Sequence, residues 1–231
     1  MDDSASAVAR ATARMLLDIK AVAFRPDDPF SFTSGRVSPV YVDCRKIISH
    51  PAERSRIIAL ATDLVRREAL AFDAVAGGET AGIPFAAWIA DRLDLPMLYV
   101  RKQPKGFGRM AQIEGDMPEG WRVLLVEDLA TDAGTKLAFV DALRRAGAVV
   151  TDAFVVFHYG IFPASVERLA AIGVRLHALA TWRDVLAEAR AARGFPAAVL
   201  DEIGDYLGDP DGWVARRSAR AATGADGTRG P

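Results

Sequence analysis

Two carboxylates follow an apolar run near the middle of the chain. The run Val123–Val126 ends in Glu127 and Asp128, and small or hydroxyl-bearing residues continue to Thr135. Carboxylates accept hydrogen bonds from a vicinal diol or hold a metal ion through water, and the N–H groups that open a helix bind phosphate. The segment predicts a site for a phosphorylated sugar, although an ordinary strand-to-helix turn capped by Asp128 or Thr131 is the alternative.

Four cations lie within nine residues earlier in the chain. They are Arg101, Lys102, Lys105 and Arg109, and glycines flank Phe107 between the last two. Arginine and lysine side chains stabilise a leaving group that gathers negative charge, once a closing loop excludes water. The glycines favour a hinge, so the stretch predicts a mobile anion-binding loop; a solvated basic loop is the alternative.

Short apolar strands alternate with helical segments around these residues. The pattern predicts strands at 71–76, 96–100, 122–126, 149–157 and 175–180, and helices at 51–68, 84–93, 136–146 and 163–172. This alternation is typical of an α/β fold with a doubly wound, mostly parallel sheet covered on both faces. Ligands bind such sheets beyond the carboxyl ends of the strands, which is where Glu127–Thr135 begins.

The two ends of the chain have different patterns. A helix is predicted at 5–20 and a hairpin within 30–43, and together they form a small N-terminal hood over residues 1–45. The core is expected at 46–190, followed by a C-terminal helical extension at 191–217. From residue 218 to 231 no periodicity remains, which predicts a disordered tail.

Composition excludes several classes of partner. Lysine and arginine number 29 against 30 acidic residues, so nothing in the net charge favours nucleic acid or an anionic membrane. The single cysteine, Cys44, cannot form an internal disulfide and favours the reducing cytoplasm. No secretory signal and no apolar run of membrane-spanning length is found, so we expect a cytoplasmic protein.

Four segments resemble the orotate phosphoribosyltransferases, within the type I phosphoribosyltransferases. Glu127–Thr135 is similar to the family's phosphoribosyl pyrophosphate signature, and Phe30–Tyr41, with its Ser-Gly and Ser-Pro pairs, to the hairpin that lines the pyrimidine site. Tyr99–Gly115 resembles the mobile Arg-Lys loop, and Ala76–Pro84 the glycine-rich turn whose amides meet the pyrophosphate. Their common order makes the resemblance, over about residues 10–190, far more specific than any single segment.

The resemblance implies a fold and an activity. The fold is the type I phosphoribosyltransferase sheet with a small hood. The activity is transfer of 5-phosphoribose from phosphoribosyl pyrophosphate to orotate, which gives orotidine 5′-monophosphate and pyrophosphate in pyrimidine biosynthesis. The family uses Mg²⁺, held through the substrate with no direct protein metal site expected, and works as a homodimer with shared active sites.

The resemblance also assigns residues to roles. The catalytic residues implied are Arg101, Lys102, Lys105 and Asp128. Phosphoribosyl pyrophosphate would be bound by these cations together with Arg109, Glu127, Asp128, Leu129, Ala130, Thr131, Asp132, Ala133, Gly134 and Thr135. Orotate would be bound by Ser34, Gly35, Tyr41, Thr131 and Tyr159.

Several positions depart from the family pattern. Thr33, Ala81 and Phe107 stand where the family often has lysine, lysine and histidine. Asp132 puts an anion where phosphate should bind, and we expect its side chain to turn away and cap the next helix. An arginine that commonly holds the orotate carboxylate is also missing after a later strand, where His158 or Tyr159 is expected to substitute.

These departures keep two alternatives open. One is a phosphoribosyltransferase for another nucleobase, since Phe32 and Tyr41 would also stack on purines. The other is a regulator that binds phosphoribosyl pyrophosphate without catalysis, for which Phe107 and Ala81 are the best evidence. A regulator that binds nucleic acid should carry a basic helix or a recognition domain, and the sequence has neither.

Overall fold

The computed structural model describes residues 3–32, 35–162 and 164–226. In chain order its elements are α1 (Asp3–Asp18), β1 (Val22–Phe24), β2 (Phe30–Ser31), β3 (Val37–Ser38), β4 (Val40–Val42), a 3-10 helix (Cys44–Ser49), α2 (Pro51–Arg67), β5 (Ala74–Gly78), α3 (Gly82–Leu93), β6 (Met97–Val100), β7 (Ile113–Glu114), β8 (Val123–Ala130), α4 (Gly134–Arg145), β9 (Asp152–His158), α5 (Ala164–Ala171), β10 (Arg175–Thr181), α6 (Trp182–Ala192), α7 (Ala197–Gly208) and α8 (Pro210–Asp226).

The core is a six-stranded sheet with the order β10-β9-β8-β5-β6-β7. All neighbours pair in parallel except β7, which is antiparallel to β6. Strand β8 lies in the middle, and Val123–Val126 are wholly buried because helices cover both faces. The predicted α/β fold with a doubly wound, mostly parallel sheet is therefore confirmed.

Strand β8 is longer than its apolar run predicts. It extends to Ala130, so Glu127 and Asp128 belong to the strand and not to the loop after it. The reason is tertiary: Glu127 and Leu129 are in register with Val155 and Phe157 of β9, which pairs with this polar end. The two carboxylates are thereby held by a backbone ladder.

The hood is built from α1 and two small antiparallel pairs. Strand β1 pairs with β4, and β2 pairs with β3, which confirms the predicted hairpin. Helix α1 packs on α6 and β10, and its Leu16 is completely buried. Helix α1 thus fixes the hood to the core.

Three helices follow the sheet. Thr181 and Asp184 form a reciprocal capping box that starts α6, α7 packs on α6, and α8 packs on α7 and β3. The disorder predicted from residue 218 is wrong as far as Asp226, because α8 continues to that residue. Alanine, the strongest helix former, supplies four residues between 219 and 225, so the helix continues without apolar periodicity. Residues 227–231 lie outside the described ranges.

Among the described residues, no helix combines the length and the apolar character that crossing a membrane requires.

Candidate active site

A cleft of about 1190 Å³ opens between the end of β8, the hood and the C-terminal helices. From the core it is lined by Ala81, Asp128, Leu129, Thr131, Asp132, Thr135, Tyr159 and Phe162. From the flanking segments it is lined by Phe32, Gly35, Arg36, Tyr41, Asp43, Arg45, Tyr206, Asp211 and Val214, among others. Several predicted site residues from separate segments therefore meet in one cavity.

Glu127 and Asp128 point to opposite faces of β8, as successive residues in a strand must. Asp128 lines the cleft. The Glu127 side chain instead lies against β5 and α4, where a Cβ added to Gly78 would be 2.0 Å from Glu127 Oε1 and 2.5 Å from the Phe139 ring. Only glycine at position 78 leaves room for this carboxylate.

Both carboxylates are buried and electrostatically strained. Burial, opposed by Lys136 and reinforced by Asp128, raises the pKa of Glu127 to about 7. Burial also raises the pKa of Asp128, against the attraction of Lys136 and Arg45. The ionised pair therefore needs further positive charge or hydrogen-bond donors, which a sugar diol or a cation supplies.

Lys136 is a functional candidate that the sequence reasoning missed. It lies in the first turn of α4, is 8% exposed and favours the ionised form of both Glu127 and Asp128. A cation in the first turn of a helix is disfavoured by the helix dipole, so a lysine at this place, eight residues after Asp128, was the available signal. It balances the charge of the strand end.

The turn between β8 and α4 has the geometry of an anion site. Ala133 adopts a left-handed conformation with φ of 65°, and α4 begins at Gly134. The Asp132 carboxylate accepts a hydrogen bond from the Gly134 N–H at 3.2 Å. This hydrogen bond supports the predicted role of Asp132 in capping α4. Thr131 and Thr135 line the cleft beside Asp132.

The glycine-rich turn after β5 reaches the same sheet edge. A Cβ on Gly82 would lie 2.4 Å from the Val126 carbonyl oxygen, so α3 starts directly against β8. Ala81 lines the cleft, and Glu79 Oε2 accepts a hydrogen bond from the Lys102 N–H at 2.7 Å. The turn and the cationic loop are therefore joined at the ends of β5 and β6.

The cationic loop between β6 and β7 lies beside the cleft and does not line it. Arg101 pairs with Glu114 at 3.2 Å, and its Nε is buried without a hydrogen-bond partner among the described residues. Lys102 and Lys105 are exposed, and Phe107 at the loop tip is fully exposed between two glycines of positive φ. The exposed ammonium groups are free of ion pairs with described residues and available to an anion.

Arg109 takes a different position from the other three cations. Its guanidinium donates to the Ala146 carbonyl, at the C-terminal end of α4. A cation there is favoured by the helix dipole. The structure places Arg109 at the base of the loop, whereas the sequence predicts a contact with pyrophosphate.

The predicted pyrimidine hairpin forms the outer wall of the cleft. Gly35, in a left-handed conformation with φ of 80°, and Tyr41 both line it, whereas Ser34 and Thr33 lie outside the described residues. The Tyr41 ring is 5.2 Å from that of Phe30 and 6.3 Å from that of Phe32. The hairpin thus offers an aromatic surface.

The two residues expected to replace the missing arginine differ in access. His158 Nε2 is 2.8 Å from Ser165 Oγ, so that nitrogen is already paired, and burial lowers the pKa of the ring. Tyr159 lines the cleft but is 4% exposed, and burial raises the pKa of its hydroxyl well above the usual value. Neither brings a positive charge into the cleft at neutral pH.

Several residues of the cleft were missed by sequence reasoning. Tyr206, Asp211 and Val214 come from α7 and α8, and Arg45 follows the hairpin. Arg45 Nε is 2.6 Å from Asp43 Oδ1, and its Nη2 donates to the Tyr41 hydroxyl at 3.2 Å. Nothing local marks the helical residues, because only folding brings α8 to the hairpin.

Known proteins were compared with this fold and site. A model of the phosphoribosyl transferase domain matches residues 45–160. An orotate phosphoribosyltransferase of Cereibacter sphaeroides (strain KD131 / KCTC 12085) is 59% identical over 212 residues, which are 91% of each chain. The solved orotate phosphoribosyltransferase of Aeropyrum pernix is 34% identical with a TM-score of 0.68, covering 79% of this chain and 99% of that one. Leishmania donovani UMP synthase has a TM-score of 0.73 at 27% identity, covering 87% of this chain and 42% of that one.

The parallel sheet and the matched domain model together define the class as phosphoribosyltransferase. Within that class, the identity to relatives over most of the chain decides the particular family. The chain belongs to the orotate phosphoribosyltransferases. The predicted fold and family are confirmed.

Proposed function

We propose that the protein transfers the 5-phosphoribosyl group from phosphoribosyl pyrophosphate to orotate, giving orotidine 5′-monophosphate and pyrophosphate. The observation that carries the proposal is the single cleft in which Asp128, the Thr131–Thr135 turn and the aromatic hairpin meet. Such a cleft holds a sugar, its phosphate and a planar base side by side. Membership of the family supports orotate as the base.

The 5-phosphate is assigned to the turn before α4. Backbone N–H groups at the start of α4 and the hydroxyls of Thr131 and Thr135 supply donors, and the helix dipole favours the anion. The Gly134 N–H is held by Asp132, so phosphate binding would displace that carboxylate, which is exposed and able to turn outward. Leu129, Ala130 and Ala133 shape the turn.

The ribose is assigned to the strand end. Asp128 lies in the cleft and is placed to accept hydrogen bonds from the sugar hydroxyls. Glu127, on the other face of β8, lies toward Gly78. Lys136 and Lys102 partly offset the cost of ionising this buried carboxylate. The sugar contact in the cleft therefore falls to Asp128, while Glu127 lies on the side of β5, toward which the diphosphate is assigned.

The diphosphate is assigned to Arg101, Lys102 and Lys105. As the bond to the anomeric carbon breaks, negative charge gathers on the leaving diphosphate, and these cations stabilise it more than they stabilise the ground state. The orotate nitrogen forms the new bond to the same carbon. Catalysis then consists of positioning the two substrates and stabilising the charge on the leaving diphosphate.

Magnesium fits the donors that the cleft offers. Asp128 provides hard carboxylate oxygens facing the cleft, and Mg²⁺ prefers one or two carboxylates together with substrate oxygens. When bound, the ion supplies positive charge that neutralises part of the diphosphate. Asp128 is assigned to orient the ion through bound water and substrate oxygens, with no direct bond from the protein.

The assembly and location belong to the same proposal. We propose a homodimer whose cationic loops contribute to shared active sites; the exposure of Lys102, Lys105 and Phe107 supports a loop that contacts something beyond its own subunit. A cytoplasmic location is supported by the free, buried thiol of Cys44.

The direct test is a phosphoribosyl-transfer assay on the purified protein with different bases as acceptors. Phosphoribosyl pyrophosphate and magnesium are supplied with orotate, adenine, hypoxanthine or uracil, and loss of orotate absorbance or formation of each nucleotide is followed. We expect turnover with orotate and none with the purines. Turnover of another base but not orotate would overturn the proposal, and binding of phosphoribosyl pyrophosphate without turnover of any base would favour the regulator.

The matched variant for this assay is Asp128→Asn, which keeps the shape of the side chain and removes its charge. We expect kcat/KM to fall by about 100-fold or more, because the carboxylate orients the sugar in the transition state. Asp63→Asn, on the exposed face of α2 and away from the cleft, serves as the control and should match the unaltered protein.

A further inference from the structure

Orotate needs a cation or strong hydrogen-bond donors for its carboxylate, and none of the residues assigned to the sugar, the phosphate or the diphosphate supplies them. The base carries a carboxylate, which must lose water when it enters a partly buried cleft, and such an anion needs a cation or strong donors to compensate. The cations assigned so far serve the diphosphate. His158 is paired with Ser165, and Tyr159 is neutral.

Arg36 and Arg45 are the cations among the described residues that line the cleft. Arg45 is already engaged, since its Nε lies 2.6 Å from Asp43 Oδ1 and its Nη2 donates to Tyr41. It also acts on Asp128 from the sugar side, because it favours the ionised form of that carboxylate. Arg45 therefore belongs to the inner, sugar-facing part of the cleft.

Arg36 lies at the aromatic end of the cleft, on a column of rings. Its guanidinium carbon is 4.2 Å from the centre of the Phe162 ring. Phe162 is stacked on Tyr159 at 6.5 Å and 17°, and Tyr159 is fixed edge-on against Trp182 at 5.5 Å. Trp182 is fully buried, so the Phe162 ring under the guanidinium is packed, through Tyr159, on the core of the protein.

The hydrogen-bonding fork of Arg36 is unoccupied toward the described residues. Its nearest carboxylate is that of Asp211, 3.7 Å from Nη1, which is an ion-pair distance and too long for a hydrogen bond. The Asp211 side chain is 97% exposed, and exposed pairs of this kind contribute little. A substrate carboxylate can replace Asp211 at low cost and gain two parallel N–H···O bonds.

The wall that carries Asp211 is a fixed part of the structure. Arg217 of α8 donates to the carbonyls of Pro26 and Asp27 in the hood, and Trp213 is buried against Tyr206 with ring centres 5.4 Å apart. Helix α8 is therefore held to the N-terminal segment on the far side of the cleft. Arg36 lies between Asp211 of this wall and the Phe162 ring, with 44% of its side chain exposed.

From these contacts we infer that Arg36 is the residue that recognises the carboxylate of orotate, with Phe162 as its positioning residue. The inference rests on the proposed function, because it names the group that selects the substrate in the same cleft. Asp211, at the start of α8, is the group that the orotate carboxylate displaces from Arg36. Arg36 acts on specificity and not on the bond-breaking step.

The test compares two product nucleotides that differ only in the carboxylate. Dissociation constants of orotidine 5′-monophosphate and uridine 5′-monophosphate are measured by calorimetry for the unaltered protein, Arg36→Gln and Arg36→Lys. Loss of a charge-assisted, two-bond contact should weaken orotidine 5′-monophosphate by about 10- to 100-fold in Arg36→Gln. The binding of uridine 5′-monophosphate should stay within about twofold, because it has no carboxylate to lose.

Arg36→Lys separates charge from geometry. Lysine keeps the charge and loses the planar fork, so its effect on orotidine 5′-monophosphate should be intermediate. Arg25→Gln is the matched control: Arg25 also stacks on a ring of the hood, 4.9 Å from the centre of Phe30, but does not line the cleft. It should bind both nucleotides as the unaltered protein does.

Steady-state kinetics supply the second readout. In Arg36→Gln the KM for orotate should rise in the same proportion as the dissociation constant, while the KM for phosphoribosyl pyrophosphate stays unchanged. Equal weakening of both nucleotides, or no weakening of either, would overturn the assignment of Arg36. Failure of the proposed function is seen separately, as an unaltered protein that does not turn over orotate.

Discussion

The polar end of β8 and the loop after β6 lie at the same edge of the sheet, yet they carry opposite charge and are buried to opposite extents. Glu127 and Asp128 at the end of β8 are 5% and 8% exposed, whereas Lys102 and Lys105 after β6 are exposed to solvent. The carboxylates are fixed by a strand ladder and by Lys136. The cations are fixed only through backbone bonds, such as that of the Lys102 N–H to Glu79.

The difference separates two ways of building a site. A buried carboxylate is held in place before substrate arrives, and the protein loses stability by keeping it charged. An exposed ammonium costs no stability, but it must be brought to the substrate by movement of the loop. Substitutions of the carboxylates at the end of β8 should therefore change both stability and activity, and those of the lysines after β6 should change activity alone.

The largest effect is expected from Lys102→Ala. Loss of a cation that stabilises the leaving diphosphate should lower kcat by about 100- to 1000-fold. The free energy of unfolding should change by less than about 0.5 kcal/mol, because the side chain is exposed. Turnover and urea unfolding are measured together, with the neutral neighbour Gln103→Ala as control. A kcat within threefold of the unaltered protein would remove Lys102 from the catalytic group.

A smaller effect, on stability, is expected from Glu127→Gln. The carboxyl has a pKa of about 7 in the folded protein against 4.5 ordinarily, so the folded state binds the extra proton between these values. The unfolding free energy of the unaltered protein should therefore fall as pH rises from about 4.5 to 7. At about 1.4 kcal/mol per pH unit, the cost above pH 7 is up to about 3 kcal/mol, and glutamine removes it.

Urea unfolding at pH 5 and pH 8 measures this change. We expect Glu127→Gln to be the more stable protein at pH 8, with little difference at pH 5, and to bind phosphoribosyl pyrophosphate more weakly. Asp63→Asn, an exposed carboxylate of α2, should show no such pH-dependent gain. A variant that is less stable than the unaltered protein at pH 8 would show that the ionised Glu127 is already compensated, and the contrast between the end of β8 and the loop after β6 would lose its energetic basis.

The smallest effect is expected from Arg109→Met. Since its guanidinium bonds to the end of α4, its loss should cost about 1 kcal/mol of stability and change kcat/KM by less than threefold. This would sharpen the comparison, because it separates an anchoring cation from the substrate-binding cations in one loop. If kcat/KM falls by as much as in Lys102→Ala, Arg109 contacts the diphosphate as the sequence predicts.

Much of this molecule was determined by its sequence alone. The alternation of apolar strands with helices predicts the parallel sheet, because the spacing of apolar residues within each element shows which of its faces is buried. Asp128, the turn to Thr135 and the hairpin residues Gly35 and Tyr41 line one cleft, and their binding roles stay predictions. Such features depend on residues close together in the chain.

Only the tertiary structure decided the rest. It placed Glu127 and Asp128 on opposite faces of one strand, turned Arg109 to the end of α4, and brought Asp211 to Arg36 from the other end of the chain. These outcomes depend on which strands pair and where α8 packs. Contacts between residues so far apart leave no periodic trace in the sequence, because they exist only once the core has formed.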